Sequence, residues 1–134
     1  MKIKTLVAVL LLSGGVTSTF AQSDCNANSS ISHEAVRAKN FKDAYAPCMA
    51  VLKDCPTLRY YTYTDAQKIL TGLMSQIKDR NSAEYKKLFD ELMAVHDQKM
   101  KYIPEFASKM KGVPSVASAL GTKAVDYLQY APAP

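Results

Sequence analysis

Residues 31–56, ISHEAVRAKNFKDAYAPCMAVLKDCP, read as one helix, a tight turn at Lys39-Asn40 and a second helix closed by Pro56. Asparagine tolerates the left-handed backbone that stops a helix, and proline cannot continue one. Small or aromatic residues recur where two antiparallel helices must touch: Ala35, Ala38, Phe41, Ala44, Cys48 and Val51. Cys25 precedes the first helix and Cys55 ends the second, so an antiparallel hairpin makes them neighbours. Three cysteines allow three pairings, and only Cys25–Cys55 ties the open end of the hairpin. Cys48 and Cys55 lie two helical turns apart, roughly 10 Å, beyond disulfide reach. Cys48 is therefore expected as a free thiol on the buried face. A bridge closing a loop of about thirty residues contributes roughly 3.5 kcal/mol.

Downstream, the apolar spacing predicts three more helices and no strand of useful length. The third is expected over 65–79, capped by Thr64 or Asp65, with Ala66, Ile69, Leu70, Leu73 and Ile77 as its apolar stripe. Gly72 lies off that stripe and weakens the helix. Residues 59–64 form the only β-prone stretch. The fourth opens on Asn81-Ser-Ala-Glu84, similar to a capping box, and carries Leu88, Phe89, Leu92, His96, Met100 and Ile103 until Pro104 ends it. The fifth spans about 115–130. Its Val116, Leu120, Ala124, Tyr127 and Leu128 are expected to face inward, with Lys123, Asp126 and Gln129 in water. Pro47 falls inside the second helix (about 42–55), which should start late or bend there. The fold class is all-α: antiparallel hairpins over 28–56 and 65–104, then a capping helix over 115–130.

The N-terminus reads as a targeting segment. Lys2 and Lys4 precede an apolar run, Leu6 to Leu12, too short to span a bilayer, and Thr19-Phe20-Ala21 offers small residues for cleavage after Ala21. A secretory signal peptide over 1–21 would leave one helical domain, 22–134, periplasmic or secreted, without a transmembrane segment. Lys2 and Lys4 also account for two of the formal +5 charges. Neither a lysine–arginine block nor a basic stripe interleaved with aromatics is present, so nucleic-acid binding has no support.

Counted from Phe41, Ala44 falls three positions on, Cys48 seven, Val51 ten and Pro56 fifteen. This resembles the second half of a tetratricopeptide repeat: aromatic, Ala, aromatic, Ala, Pro. Cys48 and Val51 depart from the pattern but stay apolar, and Ser32 stands where glycine or alanine is usual. LMAVHDQKMKYIP (Leu92–Pro104) repeats the theme with His96 in an aromatic position, which implies that phenylalanine would be accepted there. Pro56 and Pro104 are further apart than one ordinary repeat, so the second unit needs longer helices or an insertion. The chain, including LGTKAVDYLQYAP, is similar to the N-terminal part of exported tetratricopeptide proteins from Bacteroidetes-type bacteria. The resemblance implies a scaffold that binds protein partners on the inner face of its first helices. Carried over, that face is Asn26, Ser29, His33 and Arg37.

Tyr60, Tyr61 and Tyr63 form the densest aromatic cluster, suited either to a partner surface or to the joint between hairpins. His96 on an apolar face reads as a packed, hydrogen-bonded histidine. A Cys48–His96 nucleophile pair lacks a supporting motif, and no CxxC or HxxxH spacing suggests zinc. Asp43/Asp54 and Asp90/Glu91/Asp97 read as solvated faces. The expectation is a non-catalytic module for protein–protein interaction, without cofactor or metal, in a setting such as a cell-envelope assembly. The alternative is a helical bundle enclosing a small apolar ligand. A monomer is expected, with the fifth helix capping the array; weak dimers are the alternative, if its stripe lies bare.

Overall fold

The computed structural model describes residues 24–134, and these are all-helical. The expected signal segment and its cleavage site after Ala21 lie outside the described residues. Five helices follow in order: α1 (24–37), α2 (Phe41–Asp54), α3 (Tyr61–Met74), α4 (Ala83–Lys109) and α5 (Val116–Tyr130). None of them is long and apolar enough to cross a membrane.

Consecutive helices run antiparallel. Phe41 at the start of α2 meets Gly72 near the end of α3, while Cys48 two turns further along donates its thiol to the Thr62 carbonyl near the start of α3. Alternate helices run parallel and in register. Ser29–Tyr61 and His33–Asp65 join α1 to α3 at a constant offset of 32 residues. Tyr45–Glu91 and Leu52–Gln98 join α2 to α4 at a constant offset of 46. The result is two layers, with α1 and α3 in one and α2 and α4 in the other. The second offset is larger because the 75–82 connection is longer than the 38–40 turn and because α4, 27 residues against 14 in α2, runs two turns before reaching Glu91. Ala44, Cys48, Ala66, Ile69, Leu70 and Leu92 are fully buried between the layers. The Cys25–Cys55 disulfide closes the open end of the first hairpin, and Cys48 is free and buried.

Several element ends differ from expectation for identifiable reasons. The α1–α2 turn places Lys39, not Asn40, at φ 58°. Its amide reaches Val36 O at 2.9 Å, and that of Asn40 reaches Ala35 O at 2.8 Å, the bond pair of a Schellman stop. Ala38, expected at the helix contact, is exposed beside this turn. Asn40 instead caps α2, which starts at Phe41 and carries Pro47 in its second turn rather than starting late. α3 begins at Tyr61 without a side-chain cap and ends at Met74. The β-prone run becomes its first turn because Thr62 and Tyr63 are buried there. Asp65, expected as a cap, is buried too. α4 is capped by Ser82, whose hydroxyl accepts from Tyr85 N, and it continues through Pro104 to Lys109. Phe106, edge-on to Tyr60 and Tyr63 at 5.4 and 6.0 Å, gives that last turn its packing.

Gly72 has a packing role that its place off the apolar stripe did not suggest. A Cβ at this position would run into the Phe41 ring. Gly72→Ala would gain about 1 kcal/mol of helix propensity, but the ring must be displaced from its site. We expect a net loss of about 1–2 kcal/mol, read as a lowered Tm in thermal unfolding. Phe41→Leu/Gly72→Ala should recover part of it. A neutral or stabilising Gly72→Ala would show that the ring moves freely.

The orientation of α5 is the largest correction. The helix does pack on α4 and reaches α3, where a terminal cap belongs. However, the face it presents is Ala119, Thr122, Lys123, Asp126 and Tyr130, and most of the predicted inward stripe points out, although the Tyr127 ring lies 5.7 Å from that of Phe89 on α4. Leu120 is 55% exposed, Tyr127 54% and Leu128 82%, and Val116 and Ala124 are exposed as well. Asp126, expected in water, is buried. Lys123 crosses to Asp97 at 2.6 Å.

Candidate functional site

Of the inner-face residues carried over from the repeat pattern, the structure gathers His33 and Arg37 into a groove between α1 and α3. Val36, Phe41 and Gly72 form its apolar floor, and Lys39, Lys68, Thr71 and Ser75 complete its walls. The His33 Nδ1–H donates to Asp65 Oδ2 at 2.7 Å, from a one-third-exposed ring to a carboxylate that is almost wholly covered. Tyr61 lies 4.3 Å from the imidazole, centroid to centroid, and its hydroxyl meets Ser29 Oγ at 3.4 Å. His33 is thus held at the groove edge from two sides. Arg37 pairs only with Glu34, one helical turn away and fully solvated, a contact of little energetic weight. Lys39 and Lys68 have no carboxylate within ion-pair distance among the described residues. The groove therefore combines an apolar floor with a positive rim.

The remaining predicted residues divide. Ser29 is not on an exposed face: it is fully buried against Tyr61. Asn26 is exposed, and its amide oxygen accepts from Arg59 at 3.4 Å. Tyr63 is a core residue, donating to Pro56 O at 2.7 Å and accepting from Gln98 Nε2; burial pushes its hydroxyl up to about 12. Tyr60 and Tyr61 are half-buried and line a second, open groove with Leu58, Phe106 and Met110. The tyrosines thus chiefly fill the joint between hairpins.

A second polar cluster, hidden from sequence reading, fixes α5. Asp126 Oδ2 accepts from His96 Nε2 at 2.7 Å and from Gln67 Nε2 at 2.8 Å. Burial holds the His96 imidazole below its ordinary range, against the pull of Asp126 and with the push of nearby Lys99. His96 is therefore neutral at neutral pH, protonated on Nε2. Lys99 is itself buried, which lowers its affinity for a proton, with Asp126 opposing. One signal was available: His96 stands on the apolar face of α4, where a buried imidazole calls for a hydrogen-bond partner.

Cys48 and His96 do not form a nucleophile pair. The thiol is spent on the Thr62 carbonyl, and burial, with the charge of Asp65, pushes it up to about 12. That is the opposite of nucleophile activation. Among the described residues no group of three or more His, Cys, Asp or Glu side chains is placed to hold a metal ion. The grooves at Lys42–Tyr45 with Leu73–Ile77, at Leu52–Pro56 with Gln98–Tyr102, and between α1 and α3 all open to solvent.

The chain matches no protein-family model, no curated protein and no solved structure.

Proposed function

We propose that this protein is a non-catalytic helical-array module that binds a protein partner by taking an acidic, extended segment into the α1–α3 groove. The observation that carries the reading is the pairing of an apolar floor (Val36, Phe41, Gly72) with cations that lack strong internal partners (Arg37, Lys39, Lys68). Parallel in-register stacking of α1 on α3 sets the groove between their C-terminal halves, from His33 and Asp65 to Lys39 and Ser75, and the alternation of layers supports the likeness to tetratricopeptide arrays. The Cys25–Cys55 bridge fits an oxidising compartment, so the partner is sought among periplasmic, envelope or secreted proteins. The alternative, an enclosed apolar ligand cavity, draws less support, because the grooves named above are open.

Selection of peptides from a random display library tests the reading. Enriched peptides should place Asp or Glu beside one apolar anchor, and added salt should weaken them. Arg37→Glu/Lys68→Glu should reduce their affinity at least tenfold, an effect of about 1.4 kcal/mol or more, with the circular dichroism spectrum and Tm unchanged. Enrichment without acidic bias, or indifference to the charge reversal, would overturn it.

A further inference from the structure

We infer that α5 is the interface of a two-fold symmetric dimer of this chain, lying antiparallel against α5 of a second copy. The helix is built inside out. Its only charged residues, Lys123 and Asp126, turn toward the body and are engaged by Asp97 and by His96 with Gln67. The opposite face carries Ala117, Leu120, Gly121, Ala124, Val125 and Leu128, all exposed. Leu128 is 82% exposed and Val125 60%. Covering this face removes no charge from water.

The order of residues along the face selects the occupant. A two-fold axis crossing the helix midway sets Gly121 of one copy level with Ala124 of the other. The same axis sets Leu120 level with Val125, and Ala117 level with Leu128. Each large side chain thus meets a smaller one, and the smallest pair lies on the axis, where two helices approach most closely. Gly121 supports this independently. A Cβ there would meet nothing within 4 Å among the described residues, so no contact with them requires a residue that weakens the helix. A second copy at the axis would require it.

The area matches a modest dimer. On this face Leu120, Val125 and Leu128 offer roughly 100 Å² each, and Ala117, Gly121 and Ala124 roughly half as much each. A pair of copies buries roughly 900 Å², the size of a weak, transient interface, so dimers are expected toward the upper end of the concentration range. Self-association through α5 is independent of the α1–α3 groove, which lies on other helices.

Sedimentation velocity of the purified protein over roughly 1–500 μM tests the inference, with two sets of variants. Wild type should shift from monomer to dimer with rising concentration. Leu128→Glu should raise the dissociation constant at least tenfold while keeping the same helix content and Tm. A mixture of Leu120→Cys and Val125→Cys proteins should give the mixed disulfide in excess over either homodimer, which reports antiparallel register even if Leu128→Glu folds poorly. A wild type that stays monomeric throughout would overturn the dimer. If that monomer also co-sediments with phosphatidylglycerol vesicles, the face belongs to a lipid surface instead. Dimers that survive Leu128→Glu and yield no mixed disulfide would equally overturn it.

Discussion

Asp126→Ala is expected to lower the stability of the fold by about 3–5 kcal/mol, because removing one partner strands several buried groups. His96 Nε2 and the Gln67 amide lose their acceptor, and buried Lys99 loses its nearest negative charge. Chemical denaturation should report the loss, with α5 released first. Asp126→Asn keeps an acceptor for His96 and should cost less, about 1–2 kcal/mol. His96→Phe, which the repeat pattern would accept, fills the volume but leaves Asp126 with Gln67 alone, and should also destabilise. The same cluster predicts a pH dependence. The folded imidazole binds its proton less readily than the ordinary value of 6.5, so the unfolded chain takes up that proton first as pH falls. The stability that neutral His96 contributes is complete above the ordinary value and is lost as pH drops toward the folded one. Stability measured between about pH 7 and 5 should fall in wild type and fall less in His96→Gln. An Asp126→Ala variant as stable as wild type would show that α5 is held by something else.

The disulfide is the second large contribution. Cys25–Cys55 spans 30 residues and fastens the N-terminus of α1 to the end of α2. Cys25→Ser/Cys55→Ser is expected to lose about 2–5 kcal/mol and to loosen α1 from α3. The Ser29–Tyr61 and His33–Asp65 contacts should then give faster amide exchange in α1 than in α4. Peptide mapping of the non-reduced protein should recover the Cys25–Cys55 pair with Cys48 unmodified. A bridge containing Cys48 would contradict the hairpin geometry, and unchanged stability in the double serine variant would show that side-chain packing alone closes the hairpin.

These two cases also mark what a single sequence shows and what it hides. The first hairpin was legible because its contacts are local: Ala44, Cys48 and Val51 recur at helical spacing and are all buried. The disulfide followed from topology alone. The α3 stripe was legible for the same reason, with Ala66, Ile69 and Leu70 wholly covered. Orientation of α5 was not. Apolar spacing identifies a helix face but not what covers it, and ordinary reasoning turns Asp126 toward water. Its burial depends on His96, 30 residues away, and Gln67, 59 away, partners that no local pattern couples to it. Pro104 and the tyrosine run misled in a related way. Local preference argued for a helix end at Pro104 and a β-prone connection over 59–64, whereas Phe106 packing against Tyr60 and Tyr63 extends α4 past the proline and draws residues 61–64 into α3. Within the groove, His33 and Arg37 were found by the repeat likeness, but Lys39 and Lys68 were not. They belong to the turn and to the next hairpin, and become neighbours only when α1 and α3 stack.

The α1–α3 groove as a site for an acidic segment is tested most directly by mapping where such a segment lands. Amide chemical shifts of the labelled protein, followed during titration with an acidic peptide obtained by display selection, give the position residue by residue. We expect the changes to cluster at His33, Arg37, Lys39, Lys68 and Thr71, to saturate together, and to vanish in Arg37→Glu/Lys68→Glu. Saturable changes centred on the solvent face of α4, or on the Tyr60–Tyr61 groove, would contradict the assignment.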